Sequence, residues 1–311
     1  MIKISLRRNS IYIINLIIHY NMRRVIRTII NNYFSFKDSL IFTVLMVLGE
    51  FFGGLSVYIY QHLFLNKHKN KNKNKLNDIG NIKTLIKEDK MNRVDGNFKI
   101  FLLIFFSAFF DFIEYVFLNY FVPKLADVSP SAELRLHSIS TISSCIVFIY
   151  TLKLKIGKHE LYSMIIIGIC LILVSITEFI FQSTVALFGE LFLSYLLTYI
   201  SIIIISFTDL IEKYLNQFNF LDPMLILVFE SIFGIILISI YSALIKDPFN
   251  SIIKLFEELE TGKIILFIFL LFLYFALCAG VNVYKILCTV IYSPMYKSIA
   301  YYILNPVMII P

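Results

Sequence analysis

Glu50 and Glu230 are carboxylates set where a carboxylate is expensive. The chain reads LMVLGEFFGGLSVYIY at 45–60 and LILVFESIFGIILISI at 225–240. Each is an apolar run with one acid near its middle and a glycine one helical turn later. At a constant offset Glu50 falls on Glu230, and Gly54 falls on Gly234. A charged side chain at bilayer depth costs several kcal/mol, so it must face a packed interior or a water-filled cavity. The glycine lets another backbone approach the same face. A second acidic pair, Asp111 and Glu114, sits in the apolar run 98–121, three residues apart and therefore on one helix face. Polar or basic residues accompany later runs: Arg135 near the start of 132–151, Asn282 in 263–284 with Lys285 just after it, and Lys297 in the last stretch. Acids in such a setting attract cationic solutes or carry coupling protons. The basic residues would instead hold a phosphate-bearing or carboxylate solute. The sequence leaves both open.

These residues need helices that cross a membrane to position them. The 311 residues are 59% hydrophobic, with a mean hydropathy of +0.80. That places the chain among polytopic membrane proteins and excludes a soluble domain. Trp is absent, while 31 Phe and 19 Tyr are present, so tyrosines must supply the interfacial belt. The net charge of +7 lies in tail and loops, where it sets topology and does not imply nucleic acid. Cys145, Cys170, Cys278 and Cys288 show no paired spacing, so neither zinc nor a disulfide framework is expected.

Hydropathy predicts an all-α polytopic fold of about eight membrane helices. The expected spans are 38–64, 98–121, 132–151, 160–181, 190–211, 223–245, 263–284 and a last stretch after Ser293-Pro294. Gly49 and Gly53 give the first span a small-residue face. Pro123 marks the turn after the second span, and Asp209, Glu212 and Lys213 are expected at the interface after the fifth. Residues 66–97 form a Lys/Asn tract that cannot bury a core and is expected to be disordered. Residues 250–260 read as an amphipathic connector lying on the membrane.

The domain reading is a basic tail at 1–37, a first half-repeat at 38–181 and a truncated second half-repeat at 187–311. In the tail, Asn15, His19, Arg23, Arg24 and Arg27 interrupt any span. A basic interfacial helix, or a damaged first helix, is expected there. About five crossings separate the two Glu/Gly copies, so they should have opposite orientations, as in inverted-repeat carriers. Ser129-Pro130 and Ser293-Pro294, each followed by a basic residue, repeat at the same helix spacing. The unit then lacks one helix at the front and at least one at the back. Loops 66–97, 152–159, 212–222 and 285–294 should share the cytoplasmic side. That puts the basic tail on the wrong side unless one more helix precedes the first span.

The stretches FFDFIEYVFLNYF, SPSAELRLHSISTISS, LKLKIGKHELYSMIIIGICLILVSITEF, DLIEKYLNQFNFLDPMLILVFESIFGIIL and AGVNVYKILCTVIYSPMYKSIAYYILNP follow one another over most of 40–310. In order and spacing they resemble solute carrier family 35 of the drug/metabolite transporter superfamily, nearest to its F-type members. Glu212-Lys213-Tyr214, Pro223 and Glu230 with Gly234 are the most telling positions. The resemblance implies two inverted five-helix halves around a central solute cavity. It also implies an endomembrane location (Golgi, endoplasmic reticulum or lysosome/vacuole).

The expected function is secondary transport of a small organic solute (nucleotide-sugar-like, an amine or another metabolite) by alternating access. The path residues are Glu50, Asp111, Glu114, Arg135, Glu230, Asn282, Lys285 and Lys297. The expected partners are the lipid bilayer, a solute and, as an option, a second copy in a homodimer; nucleic acid, cofactors and metals are not expected. The alternatives are a non-transporting membrane scaffold or receptor and a non-functional partial gene product. An enzyme is disfavoured: an aspartyl intramembrane protease wants two facing mid-span aspartates, and Asp111 stands alone. The five histidines lie outside span centres, against a metal hydrolase.

Overall fold

A computed structural model describes residues 2–65, 96–128, 188–245 and 249–291, with scattered positions between 142 and 173. Among the described residues every regular element is helical. These elements are α1 (Ile2–Tyr33), α2 (Ser39–Tyr60, continued by a π turn at Gln61–Leu65), α3 (Asn97–Val128), α4 (Phe188–Asn219), α5 (Pro223–Leu244), α6 (Asn250–Glu258) and α7 (Thr261–Ile291). The spans expected at 132–151, at 160–181 and after Pro294 lie outside the described residues, or only partly within them. So do the 66–95 part of the Lys/Asn tract, Arg135 and Lys297.

Helix starts follow local chemistry. Asp38 caps α2 by accepting from the Leu40 and Ile41 amides at 2.9 and 3.2 Å. Asp222 does the same for α5 through Met224 N at 2.8 Å, with Pro223 at the first helical position, where its missing N–H leaves no bond unmade. Among the described residues three helices are long and apolar enough to cross a membrane: Ser39–Leu63, Pro223–Leu244 and Thr261–Val290.

The distribution of polarity is inverted relative to a water-soluble bundle. Glu50, Asp111, Glu212, Glu230, Asn282 and Lys285 are buried, while Phe101, Phe109, Phe229, Ile236, Ile240, Ile268 and Phe272 lie on the outside. A fold that hides its charges and displays phenylalanine suits a hydrocarbon solvent.

Several sequence expectations need correction. The second span does not end at 121: α3 runs through Pro123 to Val128. Proline removes one backbone bond, and an apolar surround favours keeping all the others. The stretches 212–219 and 285–291 are helical, not loop, and Glu212, Lys213 and Lys285 are buried within the bundle. The connector α6 also does more than float on lipid. Its Ile252 and Leu255, with Leu259 just beyond its end, pack on the core, and Phe256 meets the Phe267 ring at 6.0 Å.

The expected N-terminal helix is present: residues 2–33 are one continuous helix, and it packs along the bundle. Leu16 and Tyr20 pack with Val281 and Cys288 of α7, and Ile26 and Ile30 join the core around Phe267, Leu270 and Tyr274. At Gly280 an added Cβ would run into the His19 ring, so the glycine makes room for that side chain of α1. The arginines that interrupt the hydropathy turn towards aromatic rings: Arg23 lies 5.1 Å from the Tyr20 centroid and Arg27 4.8 Å from that of Phe42. Ile11, Ile14, Ile18, Met22, Val25 and Ile29 form an exposed apolar stripe at helical spacing on the other side.

Candidate functional site

The site lies where α2 and α5 cross. A Cβ on Gly54 would meet Leu227 Cδ2 at 3.2 Å, and one on Gly234 would meet Val47 Cγ1 at 3.1 Å. Val47 and Leu227 are themselves matched positions in the two copies. Helices that exchange contacts this way run antiparallel and cross at the midpoint, which is Glu50 and Glu230. Packing agrees: Val57 and Tyr58 lie with Met224 and Leu227, and Leu45 lies with Ile235. Neither glycine has room for a side chain without displacing its neighbour.

The other face of α2 carries Gly49 and Gly53, as the small-residue spacing predicted. A Cβ on Gly53 would stand 2.8 Å from Ala279 O, and one on Gly49 would stand 2.9 Å from Ala279 N. Backbone thus meets backbone, which brings α7 close enough for Asn282 Nδ2 to donate to Met46 O at 3.3 Å. The corresponding face of α5 carries Phe233, whose ring packs edge-on against Phe101 and Phe105 of α3.

With α3 and α7 so placed, their polar side chains meet across the centre. Lys285 Nζ donates to Asp111 Oδ1 at 3.1 Å and stands 3.6 Å from Glu114 Oε2. Tyr115 Oη donates to Glu50 Oε2 at 3.1 Å and lies 3.4 Å from Asn282 Oδ1. One carboxylate oxygen from each of Glu50, Asp111 and Glu230 lies within 4.8 Å of the other two. Glu230 is 1% exposed, and neither of its carboxylate oxygens accepts a hydrogen bond among the described residues. Ser107, fully buried, lies beside it, outside hydrogen-bonding geometry.

Six of the eight path residues expected from sequence therefore come together: Glu50, Asp111, Glu114, Glu230, Asn282 and Lys285. Arg135 and Lys297 lie outside the described residues. Sequence reasoning missed Tyr115 and Ser107, and it placed Glu212 at the interface. Glu212 is 1% exposed and within electrostatic reach of Glu50, Glu230 and Lys285. The available signal was the spacing of Thr208, Glu212, Leu215 and Asn219, which puts all four on one buried face of α4.

Among the described residues, five acids (Glu50, Asp111, Glu114, Glu212 and Glu230) thus share this interior with the Lys285 ammonium. A low-dielectric interior does not tolerate such an excess of negative charge. The acids must take up protons, accept a cation or open to water. A cluster of this kind can bind a proton or a cation. Compared with known proteins, the chain matches no family model, no curated protein and no solved structure.

Proposed function

We propose that the chain is a secondary carrier of a small organic solute, built as an inverted repeat in which α2 and α3 correspond to α5 and α7. The observation that carries this reading is the antiparallel, reciprocal contact of α2 with α5, centred on Glu50 and Glu230. A second correspondence supports it. Ala108, Asp111 and Glu114 of α3 have the spacing of Ala279, Asn282 and Lys285 of α7. The triplets also meet one another, Lys285 lying against both Asp111 and Glu114, with Asn282 beside neighbouring Tyr115. An axis in the membrane plane through the acid cluster accounts for both pairs. Two half-repeats would rock about that axis and open the centre to each side in turn. The resemblance to solute carrier family 35 points the same way and to an endomembrane location.

In this reading α1 is also a membrane helix. Its outward isoleucines face lipid, and its antiparallel course along α7 brings residues 2–10 to the side on which α2 ends and α3 begins. The basic N-terminus then joins the other basic loops, as the positive-inside rule asks.

The test is uptake by proteoliposomes holding the purified chain, driven by a pH gradient and offered a panel of labelled nucleotide sugars and organic amines. One solute should accumulate. Glu50→Gln and Glu230→Gln should abolish that uptake while membrane insertion persists, and Glu260→Gln, at an exposed site, should not. A scaffold or receptor would show no uptake of any solute, or uptake indifferent to the two acids.

A further inference from the structure

The acid cluster contains a place for a cation that its own hydrogen bonds do not fill. Lys285 serves Asp111 and Glu114, and Tyr115 serves one oxygen of Glu50. Glu50 Oε1 and both oxygens of Glu230 are buried and accept no hydrogen bond among the described residues. The hydroxyl of Ser107, which is not part of the acidic set, is likewise fully buried and lies beside Glu230 without a well-formed hydrogen bond to it or to any other described group. Burying so many unmet acceptors with a hydroxyl costs several kcal/mol unless something binds them.

The spacing says what that would be. Three oxygens lying within 4.8 Å of one another share a point no more than about 2.8 Å from each. Calcium–oxygen distances are about 2.3–2.6 Å, so a shift of at most a few tenths of an ångström brings all three oxygens to bonding distance, with water filling the other positions. Magnesium, at about 2.1 Å and octahedral, would need a larger collapse. All the donors are oxygen; with no imidazole or thiolate in the set, zinc and copper are disfavoured and hard cations preferred. We propose that Glu50, Asp111 and Glu230, with the Ser107 hydroxyl beside them, form a binding site for one hard divalent cation of the size of Ca2+ or Mn2+. The ligands come from α2, α3 and α5, so the ion ties both copies of the Glu/Gly pattern to α3. Lys285 competes for Asp111 and keeps the affinity modest. The site is argued from oxygen geometry alone and does not depend on whether the chain transports a solute.

The experiment uses the full chain in lipid nanodiscs, stripped of metal and titrated with Mn2+ while the free-ion paramagnetic resonance signal is followed. One Mn2+ per chain should bind saturably, with a dissociation constant of millimolar or tighter, and Ca2+ should displace it. Glu230→Gln should weaken binding at least about tenfold, and Ser107→Ala by a smaller factor; Glu260→Gln should leave it unchanged. Ser107→Ala keeps the test open should the Glu230 variant fail to fold. Three results would overturn the proposal: no saturable Mn2+, binding untouched in both cluster variants, or a cluster that takes up protons and no metal. Each is read without a transport assay, so failure here and failure of the carrier reading are separate results.

Discussion

Replacing Lys285 by methionine removes the ammonium that Asp111 and Glu114 share. The side chain is 9% exposed, and its partners stand at 3.1 and 3.6 Å with exposures of 6% and 11%. Methionine fills most of the lysine's volume, so little of the effect comes from a cavity. What remains is acid with no counter-charge in a low-dielectric interior. Breaking one partner of a buried pair costs about 3–5 kcal/mol. For a chain of this size each kcal/mol moves the melting midpoint by about 2 °C, so Lys285→Met should melt about 6–10 °C below the parent. Removing the acid as well should reverse much of this, because two apolar residues replace an ion pair at little net cost. The double variant Lys285→Met/Asp111→Leu should therefore regain at least about half of the lost midpoint. Melting can be followed with a thiol-reactive dye, since Cys278 and Cys288 are fully buried and become reactive on unfolding, while exposed Cys170 supplies the baseline. A Lys285→Met protein within about 2 °C of the parent, or a double variant no better than the single, would refute the claim that this lysine neutralises the cluster.

Gly53→Ala should destabilise the fold by about 1–3 kcal/mol, because its Cβ meets the Ala279 backbone oxygen at 2.8 Å, whereas Gly96→Ala, in open space, should be neutral; the same dye assay checks both. Gly280→Ala should push His19 away and loosen α1, seen as a lowered melting midpoint in the same dye assay. If α2 crosses the bilayer, cysteines introduced at exposed Ser35 and Gly96 should label from opposite sides of sealed vesicles, and labelling from one side would place α2 elsewhere. Glu260→Gln removes an exposed ion pair with Lys263 and should change the midpoint by less than about 2 °C, which calibrates the effect of the buried pair.

Much of this protein is legible in its residues. Apolar runs of span length fix α2, α5 and α7 as helices, and Asp38, Asp222 and Pro223 fix where two of them begin. The Gly49/Gly53 spacing announces a close backbone contact, and the matched Glu50 and Glu230 announce two acids that must avoid lipid. Each of these depends on residues near one another in the chain, so a single helix expresses it. Other features depend on how separate helices cross. Hydropathy rejects α1 because it counts Arg23 and Arg27 as charges in lipid, and only the bundle supplies the Tyr20 and Phe42 rings that take them. Lys285 and Glu212 look like helix-end charges until α3, α4 and α7 enclose them. Ala108–Asp111–Glu114 and Ala279–Asn282–Lys285 share a spacing but not residue types, so the sequence does not pair them. That the two triplets meet is visible only once Lys285 lies against Asp111 and Glu114, since a charge pair is set by distance in space, and that distance depends on how separate helices pack.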